Sequence, residues 1–135
     1  MTHIFRLQNG QDLLHSIKGY CEHKKIDAGV VVSSVGCVHN ANIRDARGFE
    51  VHEIDEPMEI ISINGTVGRE RCHLHIALST SDLTVIGGHL VEGCVVYTTA
   101  EIAIMEIPDV RFAKYFDKTT GYNELQIIAK EGGKE

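Results

Sequence analysis

Apolar and polar positions along the chain follow two periods, and these divide it into one helix and a series of strands. Residues 2–8 alternate with a period of two, Ile4 and the Phe5/Leu7 pair falling on different faces. This predicts a short strand that Asn9-Gly10 ends. From Gln11 to Ile26 the period lengthens: Leu13, Leu14, Ile17, Tyr20 and Cys21 recur at steps of three and four. Asp12 stands near the positive end of the resulting dipole and Lys24-Lys25 near the negative end. The spacing predicts an amphipathic helix lying on a sheet.

The segment 28–41 is rich in Gly and Val and reads as a strand covered on both faces, with Gly36 marking a bulge or close packing. A more polar stretch runs through Arg44 and Gly48. Further strands are expected at Phe49–Ile54, Met58–Val67, Arg71–Ser79, Leu83–Val91 and Cys94–Ile107, and a second short helix near Val110–Phe116. The pattern describes an α+β fold, a mainly antiparallel sheet with one main helix. A single domain is expected over residues 1–130, followed by a flexible tail at 131–135.

Composition narrows the class. A length of 135 residues suits one domain, and 43% hydrophobic residues are enough for one core. With 24% charged residues and no apolar run near the roughly 20 that span a bilayer, neither a disordered polymer nor a membrane protein fits. Thirteen Lys and Arg against nineteen Asp and Glu give a net charge of −6. The cations are scattered, Lys24-Lys25 being the longest basic run, and there is no Arg-Gly-Arg-Pro hook; the sequence offers no basic patch of the kind that neutralises DNA phosphates. Cys21, Cys37, Cys72 and Cys94 form no Cys-x-x-Cys pair and lie in apolar stretches, which points to buried free thiols in a reducing compartment. Residues 1–8 lack the basic start and apolar core of a signal peptide, so the cytoplasm is the expected location.

The chemistry concentrates in residues 71–90. Alternation along Arg71–Leu78 sends Cys72, Leu74, Ile76 and Leu78 to the core and leaves Arg71, His73, His75 and Ala77 on the opposite face. A tight connection at residues 79–82 then returns the chain along Leu83–Leu90 as a hairpin. If the turn centres on Ser81, opposed residues have numbers that sum to 162: His73 faces His89, Leu74 faces Gly88, His75 faces Gly87 and Ile76 faces Ile86. Opposed Cβ atoms lie about 4.5–5.5 Å apart, within reach of one ion held by imidazole nitrogens at about 2.0–2.1 Å. Three neutral histidines with a fourth position left open are the donor set of catalytic zinc centres. Two imidazoles on the polar face of a half-buried strand, with His89 an unrelated packed residue, are the ordinary alternative. A turn shifted by one residue would move His89 to the other face.

His3, His15, His23, His39 and His52 share no spacing and read as surface or satisfied core residues. Glu92 and Glu101 are the carboxylates nearest the histidine segment in sequence. Glu101 interrupts an apolar strand, and three roles are open to it: a catalytic partner of metal or water, an ion pair to an arginine, or a residue at a subunit boundary. Arg44, Arg69 and Arg71 can hold an anionic molecule beside a cation, or form ordinary surface ion pairs. No phosphate loop, dinucleotide fingerprint or serine elbow occurs.

The block Val85-Ile-Gly-Gly-His-Leu-Val-Glu-Gly-Cys-Val-Val-Tyr-Thr-Thr-Ala-Glu-Ile102 resembles the signature of the plants-and-prokaryotes-conserved (PPC) domain. The His-x-His strand before it and Ser34–Arg44 fit as well. The resemblance extends from the first strand to about Ile127. It implies a two-layer, sandwich-like α/β domain assembling as a homotrimer. It also brings a DNA-binding label, because in plants the domain follows an AT-hook that makes the direct DNA contact; this chain has no hook, and its charge gives DNA no support as a partner. The fold is similar to that of acetolactate decarboxylase, in which three histidines hold zinc. The resemblance thus favours zinc or another first-row divalent metal at His73, His75 and His89, although fold likeness transfers no reaction. Two functions of different class follow: a trimeric, transcription-associated module in which a metal is ancillary, or a metal-dependent lyase or hydrolase acting on a small anionic metabolite.

Overall fold

The computed structural model describes residues 1–131; residues 132–135, most of the expected tail, lie outside the described residues. The chain runs β1 (Thr2–Gln8), α1 (Leu13–His23), β2 (Gly29–Arg44), β3 (Val51–Ile54), β4 (Met58–Val67), β5 (His73–Ser79), β6 (Val85–Leu90), β7 (Val95–Glu106), β8 (Val110–Asp117) and β9 (Tyr122–Ala129). Every pairing is antiparallel, as the alternation implies.

Helix α1 starts where Asp12 ends the extended chain. The Asp12 carboxylate accepts from the backbone N–H of His15 at 2.9 Å, and its other oxygen accepts from Gly93 N–H at 2.7 Å. One side chain therefore caps the helix and fixes the loop before β7. Leu13, Leu14, Ile17 and Cys21 point into the sheet and are buried, which is the three- and four-residue stripe. The helix ends at His23, short of Ile26, because Lys25 takes a left-handed φ of 56°.

Seven strands form the main sheet, in the order β1-β7-β2-β4-β5-β6, with β3 on β2. Strand β2 is sixteen residues long and organises the rest. Its first part lies between β7 and β4; its end pairs with β3 and, at Ile43↔Leu90 and Arg44↔His89, with β6. The sheet therefore curls until β6 meets β2 again, enclosing Ile60, Ile63, Leu74, Ile76, Leu78 and Leu90. The bend is eased at Gly36, where the register with β7 shifts and an added Cβ would lie 2.2 Å from the Thr99 carbonyl oxygen.

The face turned away from α1 is apolar on β1, β2, β4 and β7: Ile4, Val32, Val35, Ile61 and Met105 are 44–76% exposed. Glu101 sits on this face, with Arg6 and Val35 as its ladder neighbours.

The C-terminal region departs from the sequence reading. Residues 110–116 form strand β8, not a helix, and β8 pairs along its full length with β9, which the pattern had not revealed. Asp109 at φ 66° prevents a helix from starting there, and the aromatic and β-branched residues of 110–116 favour the extended form. Asp117 makes the reversal: its carbonyl oxygen accepts from Gly121 N–H at 2.8 Å and its carboxylate from Thr119 N–H at 2.8 Å. Asp27 ties the hairpin down, its carbonyl oxygen accepting from Phe112 N–H at 2.9 Å and its carboxylate meeting Lys130 Nζ at 2.9 Å. Among the described residues no helix is long and apolar enough to cross a membrane.

Candidate metal centre

Strand β5 shows the alternation read from its sequence: Leu74, Ile76 and Leu78 are buried, while His73 and His75 are exposed on the other face. The hairpin register differs by two. His75, not His73, faces His89, followed by Ile76↔Gly88, Ala77↔Gly87 and Leu78↔Ile86, so paired numbers sum to 164. The turn centres on Asp82 because its Oδ1 accepts from Thr84 N–H at 3.2 Å while Leu83 takes a left-handed φ of 68°. A shift of two preserves the face of every side chain, which is why the three imidazoles still converge.

Gly87 makes this approach possible, since a Cβ there would lie 2.3 Å from the Ile76 carbonyl oxygen. The ring centroids of His73 and His75 are 5.2 Å apart, those of His73 and His89 5.2 Å, and those of His75 and His89 5.6 Å. One nitrogen from each ring lies within 4.8 Å of the others. A tetrahedral ion bonded to each ring at about 2.0–2.1 Å would set the centroids about 5.2 Å apart, so the rings already stand at the spacing such an ion requires.

His73 and His89 favour the neutral form that binds metals. Burial, then the Arg44 guanidinium and the closeness of the other two imidazoles, pushes His89 down to about 4, and burial with Arg71 lowers His73. Asp45, Glu50 and His52 make a second convergence of possible ligands, but Asp45 is already engaged by Arg47 at 3.4 Å and by the His52 ring at 3.0 Å.

A cleft of about 700 Å³ opens beside His73 and His89. Cations from distant parts of the chain meet there: Lys18 from α1, Arg44 from the end of β2, Arg69 and Arg71 from the β4–β5 connection, and Lys114 from β8. The sequence shows no such patch because the folding of four elements assembles it. Arg69 is held by Asp27; among the described residues the other four have no carboxylate within 4 Å. Arg44 Nε is buried without a hydrogen-bond partner.

Neither expected carboxylate reaches this place. Glu101 lies on β7, three strand positions from β5, and Glu92 lies in the exposed loop after β6; neither lines the cleft. The carboxylates that do are Glu22, Glu70 and Glu124. Glu70 is engaged by Arg111 at 3.0 Å, and Glu124 is close enough to His73 to offset part of its lowering. No spacing signal relates Glu124 to His73, since the two meet only through the C-terminal hairpin.

The family model described as the Plants and Prokaryotes Conserved (PCC) domain matches residues 1–108. The chain belongs to this family. Both strands that carry the histidines lie inside the matched region of the PCC domain, and the hairpin β8–β9 lies beyond it. The bifunctional protein GlmU of a Synechococcus strain is 37% identical over 122 residues, 90% of this chain. The PCC chain spans about a fifth of the length of the curated relatives it matches. Among solved structures, a hypothetical protein from Salmonella superposes with a TM-score of 0.93 at 28% identity, covering 96% of this chain and 94% of that one. A metal-containing protein of Archaeoglobus fulgidus gives 0.79 at 29% identity, covering 93% of each. A candidate DNA-binding protein of Bacteroides thetaiotaomicron gives 0.83 at 20% identity over 93% of this chain and 91% of that one, a likeness of fold alone.

Proposed function

We propose that this PCC domain is a metal protein, with one divalent first-row ion, zinc foremost, held by His73, His75 and His89. The centroid spacing of the three rings carries the reading. The lowered pKa of His73 and His89 and the metal-containing relative of 29% identity support it. When bound, the ion would supply Lewis acidity to a carbonyl or to water. Metal analysis of untagged protein against His73→Ala/His75→Ala tests this: about one ion per chain is expected in the wild type, and equal metal in both proteins refutes it.

The exposed apolar face of β1, β2, β4 and β7 supports self-association, as a homotrimer, in a reducing cytoplasmic setting that suits four free thiols. Glu101 then belongs to the subunit boundary. DNA remains a partner by family label, without autonomous binding; a retardation assay at low salt, where phosphate contacts are strongest, is expected to show no shifted duplex.

The open cleft beside the imidazoles favours a second reading, a metal-dependent lyase or hydrolase for a small anionic molecule. Glu124, not Glu101, is then the carboxylate placed to move a proton.

A further inference from the structure

The cleft has a charge opposite to that of the chain. The protein carries −6 overall, yet Lys18, Arg44, Arg71 and Lys114 converge on this concavity without ion-pair partners among the described residues. Among the described residues only Glu22 and Glu124 stand there unpaired against them, because Glu70 is taken by Arg111. Collecting like charges in one cleft is unfavourable unless a counter-charge is supplied. A divalent ion at the histidines would add to the imbalance.

Geometry also orders the cations. Arg44 is the ladder neighbour of His89, and Arg71 Nη2 lies 3.4 Å from His73 Nδ1, so two guanidiniums stand beside the imidazoles. Lys114 approaches on the hairpin, which lies outside the family-matched region. A planar guanidinium fork matches an oxyanion, and Arg44 Nε lacks an acceptor. Glu22 and Glu124 stand among the cations, an arrangement that repels an extended polyanion and admits a compact one.

We infer that the cleft binds a small molecule bearing a carboxylate or phosphate group, held by Arg44 and Arg71 beside the histidine centre and by Lys114 from the hairpin. This rests on the metal reading for the ligand's other end, and it makes the hairpin a determinant of which molecule is accepted.

Cobalt(II)-loaded protein separates the two readings, because its visible spectrum reports the imidazole donors and its perturbation reports a neighbouring anion. Acetate and inorganic phosphate serve as probes of the two oxyanion classes, followed also by calorimetry with chelator-stripped protein. At least one probe is expected to bind, to weaken with added salt, and to lose roughly tenfold or more in affinity in Lys114→Ala and Arg71→Ala, the scale of one hydrogen bond to a charged group. The cobalt spectrum of Lys114→Ala without probe should match the wild type. A normal cobalt spectrum with neither probe bound overturns the inference, and so do variants that bind as the wild type does. Failure to take up cobalt refutes the metal reading alone, and probe binding that persists in stripped protein then supports the anion cleft. A duplex oligonucleotide that displaces the probe would overturn the small-molecule assignment.

Discussion

His75 on β5 stands directly opposite His89 on β6, and the His73 ring lies 5.2 Å from each of theirs. Because two strands of one ladder hold the three donors, the folded chain is preorganised for an ion and the unfolded chain is not. Added zinc should therefore stabilise chelator-treated protein by about 2.7 kcal/mol at a free concentration 100 times the dissociation constant. His75→Ala/His89→Ala should show no zinc-dependent change in melting temperature. A shift that survives in this variant would place the ion elsewhere.

The two strands approach across Gly87, where a Cβ would collide with the backbone of Ile76. Gly87→Ala should cost about 1–3 kcal/mol in denaturant unfolding and lower metal occupancy. Gly19 is the contrasting case, exposed on α1 with nothing within 4 Å of an added Cβ. Gly19→Ala should raise stability by about 0.5–1 kcal/mol and leave metal content unchanged.

Asp27 joins the sheet to the C-terminal hairpin, and Lys130 with Arg69 holds its carboxyl below the usual carboxylate value. A carboxyl lowered in the folded state stabilises above its unfolded value, about 3.9, and loses that contribution as pH falls through the folded value. Thermal melts should therefore show stability dropping as acid is added below about pH 4. Asp27→Asn should be less stable by about 1–2 kcal/mol at neutral pH and should show a shallower acid limb. Parallel acid limbs in the two proteins would exclude Asp27 as the cause.

Ile61 and Val35 lie 54% and 52% exposed on the face turned away from α1. If a second copy covers this face, Ile61→Asp should lower the mass measured by light scattering from that of an assembly to that of one chain, without lowering the helix signal. An unchanged mass would mean that assembly, if any, uses another surface.

Much of the fold could be read from period alone. Strand β4 was placed at its observed limits, and α1 was identified by its stripe, because both bury one face against a common core and burial imposes a period. The side of β5 on which His73 and His75 lie was legible for the same reason. Their partner across the ladder was not, since the register depends on how Asp82 and Leu83 turn the chain, and parity spared the convergence from a two-residue error. At 110–116 the pattern suggests a helix and at 122–129 it suggests nothing, because the strands of this hairpin bury little: Phe116, Tyr122 and Ile127 are exposed, so no alternation marks it. Glu124 carries no signal for the same reason, whereas Glu101 stands out as a charge interrupting an apolar strand near the histidines in sequence, although that strand lies on another part of the sheet.

Placing Lys114, Tyr122, Asn123 and Glu124 on a hairpin beyond the family-matched region makes the cleft composite. One part holds the imidazoles and the other completes the lining, joined through Asp27 and a few contacts. Exchange of some twenty C-terminal residues can then redraw the outline of the guest while the ion-holding hairpin stays intact. Related chains built this way would share a centre and differ in diet.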